Sequence, residues 1–195
     1  MDARFIAACA SRASIPQATL PEVAVAGRSN CGKSSLINAL TGHSKLARTS
    51  STPGRTRQIN IFSFSGYGGP PMHLVDLPGY GYARASKAEQ SDWSQLINAY
   101  LETRSTLRLM LVLLDIRRGP QSEEMELLQW MTDVNIPTLA VLTKTDKIAP
   151  SKRKSVTVKV ARALALQRSP LAFSVKDKAK VLELRKLLAE ALVYD

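Results

Sequence analysis

Two cysteines, Cys9 and Cys31, are all that the 195 residues contain, too few for a disulfide scaffold. Long apolar runs are also missing. The run Leu109–Leu114 stops at Asp115, well short of the roughly 20 apolar residues that a membrane-spanning helix needs. Phe5–Ala10 is apolar but short, and Asp2 before it is not the basic start of a secretory leader. A cytoplasmic chain with no membrane contact is expected. Aromatic residues make up only 6%, yet 45% of the chain is apolar and spread along its length, which excludes wholesale disorder and allows a core. The length suits one domain.

Acid is absent from Val23 to Val75, a stretch with six cations: Arg28, Lys33, Lys45, Arg48, Arg55 and Arg57. Lys144–Arg168 holds eight cations against the single acid Asp146, while Glu89–Asp133 holds eight of the sixteen acids. The formal net charge of +11 is thus gathered in parts of the chain, which points to an anionic partner on one side of the molecule.

Apolar periodicity alternates between strand and helix. Strand patterns fall at Glu22–Ala26, Gln58–Phe64, Met72–Leu77, Arg108–Leu114, Pro137–Leu142 and Leu171–Phe173. Helical patterns fall at Ser34–Leu40, at a helix opened by the capping box Ser86–Glu89 and carrying Trp93, Ile97 and Tyr100, and at Glu123–Met131. Two more lie at Lys152–Gln167, with Val156, Val160, Ala163 and Leu164 inward, and at Lys178–Leu192, with Val181, Leu184, Leu188 and Leu192 on one stripe. Thr41–Arg57, with Gly42, Pro53 and Gly54, reads as a loop. Residues 1–20 read as a loose N-terminal extension, and 21–195 as one domain. The expected fold is α/β: a three-layer sandwich around a six-stranded, mostly parallel sheet with one antiparallel edge strand. Trp93 and Trp130 read as core, and His43 and His73 as loop or strand-surface residues.

Gly27-Arg28-Ser29-Asn30-Cys31-Gly32-Lys33-Ser34 has the form G-x-x-x-x-G-K-[ST], between a strand and a helix. Its glycines let backbone N–H groups close around a phosphate at a helix N-terminus. Lys33 brings a charge to the outer phosphates, and the Ser34 hydroxyl is a ligand for Mg²⁺. Cys31 reads as a small filler rather than a redox group. Three later segments, each at a strand end, point to the base. Asp76-Leu77-Pro78-Gly79 offers a carboxylate to Mg²⁺ through water and a Gly79 N–H to a γ-phosphate. Thr143-Lys144-Thr145-Asp146 offers a carboxylate to the N1–H and 2-amino group of guanine, donors that adenine lacks on that edge. Ser174-Val175-Lys176 falls where a backbone N–H meets guanine O6.

With these segments in order, the sequence resembles the TrmE–Era–EngA–EngB group of small GTPases, and within it the EngB (YihA/YsxC) type, over about residue 20 to the C-terminus. Gly27–Leu40, Thr52–Thr56, Asp76-Leu-Pro-Gly-Tyr-Gly-Tyr82 and Leu142–Asp146 carry the resemblance. It implies a P-loop GTPase fold and slow, Mg²⁺-dependent GTP hydrolysis. Lys33 and Thr56 would be the catalytic residues, and Ser34 and Thr56 the metal ligands. Gly54, Arg55, Thr56, Arg57 and Gln58 would form the first switch contact, and Phe173, Ser174 and Val175 the last guanine-side contact. Thr143 stands where many GTPases carry Asn, which leaves Asp146 to carry most of the base recognition. Tyr80 stands where a Gln orients the attacking water, and a phenol with an ordinary pKa of about 10 is a poor proton acceptor at neutral pH. At Asn30, related GTPases coordinate K⁺; hydrogen bonding within the loop is the other reading. The resemblance further implies a monomer that binds the large ribosomal subunit or its precursor through rRNA, and a role in subunit assembly and, through it, in cell division and septation. The alternative is a P-loop small-molecule kinase, which would leave Thr143–Asp146 without a purpose.

Overall fold

The computed structural model describes residues 2–47, 58–66, 69–80 and 87–193, the side chains of 87–93 and 193 excepted. Seven strands form one sheet: β1 (Asp2–Cys9), β2 (Glu22–Gly27), β3 (Ile59–Gly66), β4 (Gly69–Asp76), β5 (Leu107–Asp115), β6 (Thr138–Thr143) and β7 (Leu171–Ala172). The helices are α1 (Lys33–Thr41), α2 (Lys87–Glu102), α3 (Ser122–Asp133), α4 (Pro150–Ala163) and α5 (Lys178–Val193). The strand order is β1-β3-β4-β2-β5-β6-β7. β3 pairs antiparallel with both β1 and β4, and every other pairing is parallel.

The sheet differs from the sequence reading in two ways. Residues 2–9 are not a loose extension: they form the edge strand β1, in which Phe5 meets Phe62 edge-on with ring centroids 5.8 Å apart. The sheet therefore has seven strands rather than six, and the antiparallel strand β3 sits one place in from the edge. The sequence of β1 hides this because most of its residues remain exposed, so it lacks a clean alternation.

The β2 residues alternate between two cores. Ala24 and Ala26 pack with Ile97, Val112, Leu128 and Val160 beneath α2, α3 and α4; Val23 and Val25 pack with Leu36, Leu111, Leu184 and Leu188 beneath α1 and α5. Both faces are covered, which is why the inner strands read as continuous apolar runs. On α4, Val160 is buried as expected but Ala163 is exposed. Trp130 packs against the core, while the Ser86 cap and the Trp93 side chain lie outside the described residues.

A polar cluster lies around Glu22, at the start of β2. Glu22 is fully buried and accepts a hydrogen bond from Tyr100 Oη at 2.7 Å. Arg104 Nε lies 3.4 Å and His73 Nδ1 3.5 Å from its carboxylate. His73 is thus buried rather than a strand-surface residue; His43 is exposed, as expected.

Strand order reverses around β2, with β4 on one side and β5 on the other. In such sheets the crevice beyond the carboxyl ends of the strands at the reversal is where ligands bind. The segments singled out in the sequence follow the ends of β2, β4, β6 and β7.

Candidate nucleotide-binding site

The loop between β2 and α1 carries the phosphate motif, and its backbone explains its residues. Gly32 has φ +111°, a left-handed conformation that L side chains rarely adopt, and it caps the N-terminus of α1. Asn30 has φ 62°, where asparagine is better tolerated than most residues. A Cβ on Gly27 would sit 2.5 Å from Cys31 Sγ and 2.9 Å from the Leu113 carbonyl. Cys31 is itself buried, and burial raises its thiol pKa, which suits a packing role. Lys33 Nζ lies 3.4 Å from the Gly27 carbonyl, folded back over the loop. Arg28 extends away toward α3 and pairs with Glu123 at 2.8 Å.

The Asp76–Gly79 segment closes on this loop. Leu77 donates its N–H to the Val25 carbonyl at 3.0 Å, and Ser29 N–H donates to the Tyr80 carbonyl at 3.2 Å. A Cβ on Gly79 would lie 3.1 Å from Lys33 Nζ and 3.2 Å from Ser29 N. Glycine therefore lets this backbone meet the phosphate loop. Asp76 is buried, and burial raises its pKa to about 6 against the opposing charge of Lys33. Among the described residues its Oδ1 has no hydrogen-bond partner. Such an orphan oxygen suits a carboxylate that a Mg²⁺-bound water would satisfy. With the Ser34 hydroxyl in the first turn of α1, the chemistry of the donor set fits an Mg²⁺ shared with phosphates. Tyr80 packs in the core; burial, with Glu124 next in effect, raises its phenol pKa, so it is no general base.

The Thr143–Asp146 and Phe173–Val175 segments lie at the ends of β6 and β7. Asp146 Oδ1 accepts from Ser174 Oγ at 2.8 Å, and Lys176 Nζ lies 3.5 Å from Oδ2. The Ser174 hydrogen bond is the main reason its pKa is lowered. Thr145 N–H donates to the Phe173 carbonyl at 3.2 Å, joining the two segments. Thr143 Oγ1 donates to the Cys31 carbonyl at 2.6 Å, with the Leu114 carbonyl at 3.1 Å. The threonine thereby fastens the end of β6 to the phosphate loop. Phe173 is buried, whereas Val175 is 44% exposed.

The structure brings Gly27–Ser34, Asp76–Gly79, Thr143–Asp146 and Phe173–Val175 to one end of the sheet. Gly54, Arg55, Thr56 and Arg57 lie outside the described residues, and Gln58 is exposed just before β3. Sequence reasoning missed Asp115 and Arg117. Asp115 ends β5, its carboxylate taking Arg117 Nη2 at 2.6 Å and Lys144 Nζ at 3.0 Å. Burial alone would raise its pKa, but the hydrogen bonds from Arg117 and Lys144 prevail and lower it far below the usual range. The available signal was an acid closing an apolar strand, the same pattern that marks Asp76.

Comparison with known proteins agrees with this geometry. Residues 22–144 match the family described as 50S ribosome-binding GTPase. A probable GTP-binding protein EngB of Geobacter metallireducens is 44% identical over 171 residues, covering 88% of this chain and 82% of the relative. That of Syntrophus aciditrophicus is 43% identical over 191 residues, covering 96% and 95%. Among solved structures, a probable GTP-binding protein EngB has a TM-score of 0.69 at 24% identity, covering 88% of this chain and 98% of that one. Era in complex with MgGDPNP and nucleotides 1506–1542 of 16S ribosomal RNA has a TM-score of 0.74 at 22% identity, covering 90% and 58%, which shows a shared fold. Strand order, phosphate loop and family match converge: the chain belongs to the EngB family of GTP-binding proteins and is a GTPase.

Proposed function

We propose that the protein is a slow, Mg²⁺-dependent GTP switch of the cytoplasm that acts in assembly of the large ribosomal subunit, and through it in cell division and septation. The observation that carries the partner is the solvent face of α4. Lys152, Lys154, Lys159 and Arg162 are all exposed there, while Val160 takes the core side. A cationic face of this kind attracts a polyanion such as rRNA.

In the proposed mechanism, hydrolysis rests on positioning and charge neutralisation. Loop N–H groups from Gly27 to Ser34 and the Lys33 ammonium hold the phosphates. Ser34 and Thr56 would ligate Mg²⁺, with Asp76 reaching it through water; the ion supplies charge neutralisation. Gly54–Gln58 would cover the triphosphate, and Gly79 N–H would reach the γ-phosphate. Asp146, oriented by Ser174, would read the guanine edge, with Val175 N–H at O6. Tyr80, buried and with a raised pKa, takes no proton from the attacking water. Slow turnover is therefore expected until a partner or a cation such as K⁺ near Asn30 assists. A monomer serves all these roles.

Co-sedimentation with purified ribosomal subunits tests the reading. Binding to the large subunit or its precursor is expected with a nonhydrolysable GTP analogue and weaker binding with GDP. Nucleotide-independent binding, or binding to neither particle, would refute the switch.

A further inference from the structure

We propose that Asp115 is a positioning residue for the guanine nucleotide: it holds the Lys144 ammonium across the phosphate loop and thereby sets how long the nucleotide stays bound. The proposal rests on the reading of this crevice as the guanine-nucleotide site.

Asp115 is the last residue of β5 and lies in register with Thr143, the residue before Lys144. Its side chain is 6% exposed. Oδ1 accepts the Arg117 backbone N–H at 3.1 Å and Arg117 Nε at 2.9 Å; Oδ2 accepts Arg117 Nη2 at 2.6 Å and faces Lys144 Nζ at 3.0 Å. The two-pronged guanidinium fixes the plane of the carboxylate, so one oxygen stays aimed at the lysine. Lys144 Nζ also donates to the Asn30 carbonyl, and its Cε lies 4.0 Å from where a Cβ on Gly32 would be. One side chain thus spans from the end of β6, past the phosphate loop, to the end of β5.

A lysine carries many rotamers and needs partners to stay in one. Lys144 also holds a left-handed backbone, φ 59°, which is costly for an ordinary side chain. Its carbonyl partner on Asn30 is neutral, and Asp115 supplies the charged partner. If Asp115 loses its charge, the ammonium loses that anchor. Both loops that Lys144 joins then loosen: the phosphate loop at Asn30, and the turn that places Thr145 and Asp146 toward the base. The competing role is local, since Asp115 Oδ1 also accepts the Arg117 backbone N–H at 3.1 Å and so shapes the turn that leads to α3.

A double-mutant cycle separates the two roles, read as dissociation of a fluorescent GDP from the full chain. Asp115→Asn and Lys144→Met are each expected to speed release by about tenfold, the size of one missing charge-assisted hydrogen bond. The double variant is expected to release no faster than the faster single one, because both remove the same interaction. Unchanged release by Asp115→Asn, or effects that multiply to about a hundredfold in the double variant, would overturn the proposal. A variant-free reading guards against misfolding: in the GDP-bound wild type the Lys144 ammonium should give a slowly exchanging ¹H–¹⁵N signal. A Lys144 signal as fast-exchanging as those of surface lysines would overturn it too. Failure of the wild type to bind GDP would instead refute the site reading itself.

Discussion

The Thr143 hydroxyl donates to the Cys31 carbonyl at 2.6 Å, so the end of β6 and the phosphate loop share a short hydrogen bond inside the protein. A threonine can make this tie without reaching the base. Thr143 therefore braces the phosphate loop, and under the proposed function recognition of guanine is left to Asp146.

Thr143→Val keeps the shape and removes the donor. A buried carbonyl left without its partner costs about 1–3 kcal/mol. GDP release is expected to quicken by about tenfold, while the preference for GDP over XDP stays. Stopped-flow displacement of fluorescent GDP measures the first, and competition with XDP the second. A switch in base preference would show that Thr143 itself reads the base.

Asp146→Asn is expected to shift preference toward XDP, because an amide puts a donor where guanine also presents donors. Ser174→Ala removes the 2.8 Å hydrogen bond that orients the carboxylate. It should weaken GDP binding without changing the preferred base. Retained GDP preference in Asp146→Asn would rule this residue out as the base reader.

The buried carboxylate of Asp76 gives a pH signature to the nucleotide-free protein. Its folded pKa, raised to about 6 by burial, lies above the unfolded value. Its contribution to stability is therefore complete below the unfolded pKa and is lost as pH rises through about 6. Asp76→Asn should flatten this part of the profile. The check is the thermal unfolding midpoint of both proteins, without nucleotide, between pH 4.5 and about 7.5; parallel profiles would exclude Asp76 as the titrating group.

Much of this arrangement could be read in advance because its causes are local. The phosphate loop needs Gly27, Gly32 and Lys33 in fixed order, and the inner strands announce themselves as apolar runs. What stayed hidden depends on residues far apart in the chain. β1 gains its place by pairing with β3 residues fifty or more positions away in sequence, not by its own pattern. Asp115 meets Lys144 only because β5 and β6 lie side by side. Glu22 opens the β2 strand, and its buried partners Tyr100 and Arg104 come from α2 and just beyond it.

That buried cluster can be tested directly. Tyr100→Phe keeps the ring and removes the 2.7 Å hydrogen bond to the Glu22 carboxylate. Because the acceptor stays buried, the expected loss is about 1–3 kcal/mol of stability. Nucleotide release should stay unchanged, since the cluster lies at the other end of the sheet. Urea unfolding and GDP dissociation measure the two; equal stability of variant and wild type would mean that the hydroxyl is not needed there.

The face of α4 decides whether the charge excess serves a partner. Arg153 belongs to the same basic run as Lys152, Lys159 and Arg162. The structure has Arg153 half-buried, its Nε shielded and without a hydrogen-bond partner among the described residues. Reversing Arg153 would therefore disturb the fold as well as the surface. Lys152→Glu with Lys159→Glu changes exposed residues only. These are separate from the phosphate and base loops, so GDP affinity should hold. Binding to the large ribosomal subunit should fall, and its dependence on salt should flatten by about 0.7–0.9 in log–log slope for each phosphate no longer neutralised. Co-sedimentation across a salt series reads both. Particle binding that ignores salt, or that survives the double reversal, would make this helix a solvated face and leave ribosome binding to another part of the surface.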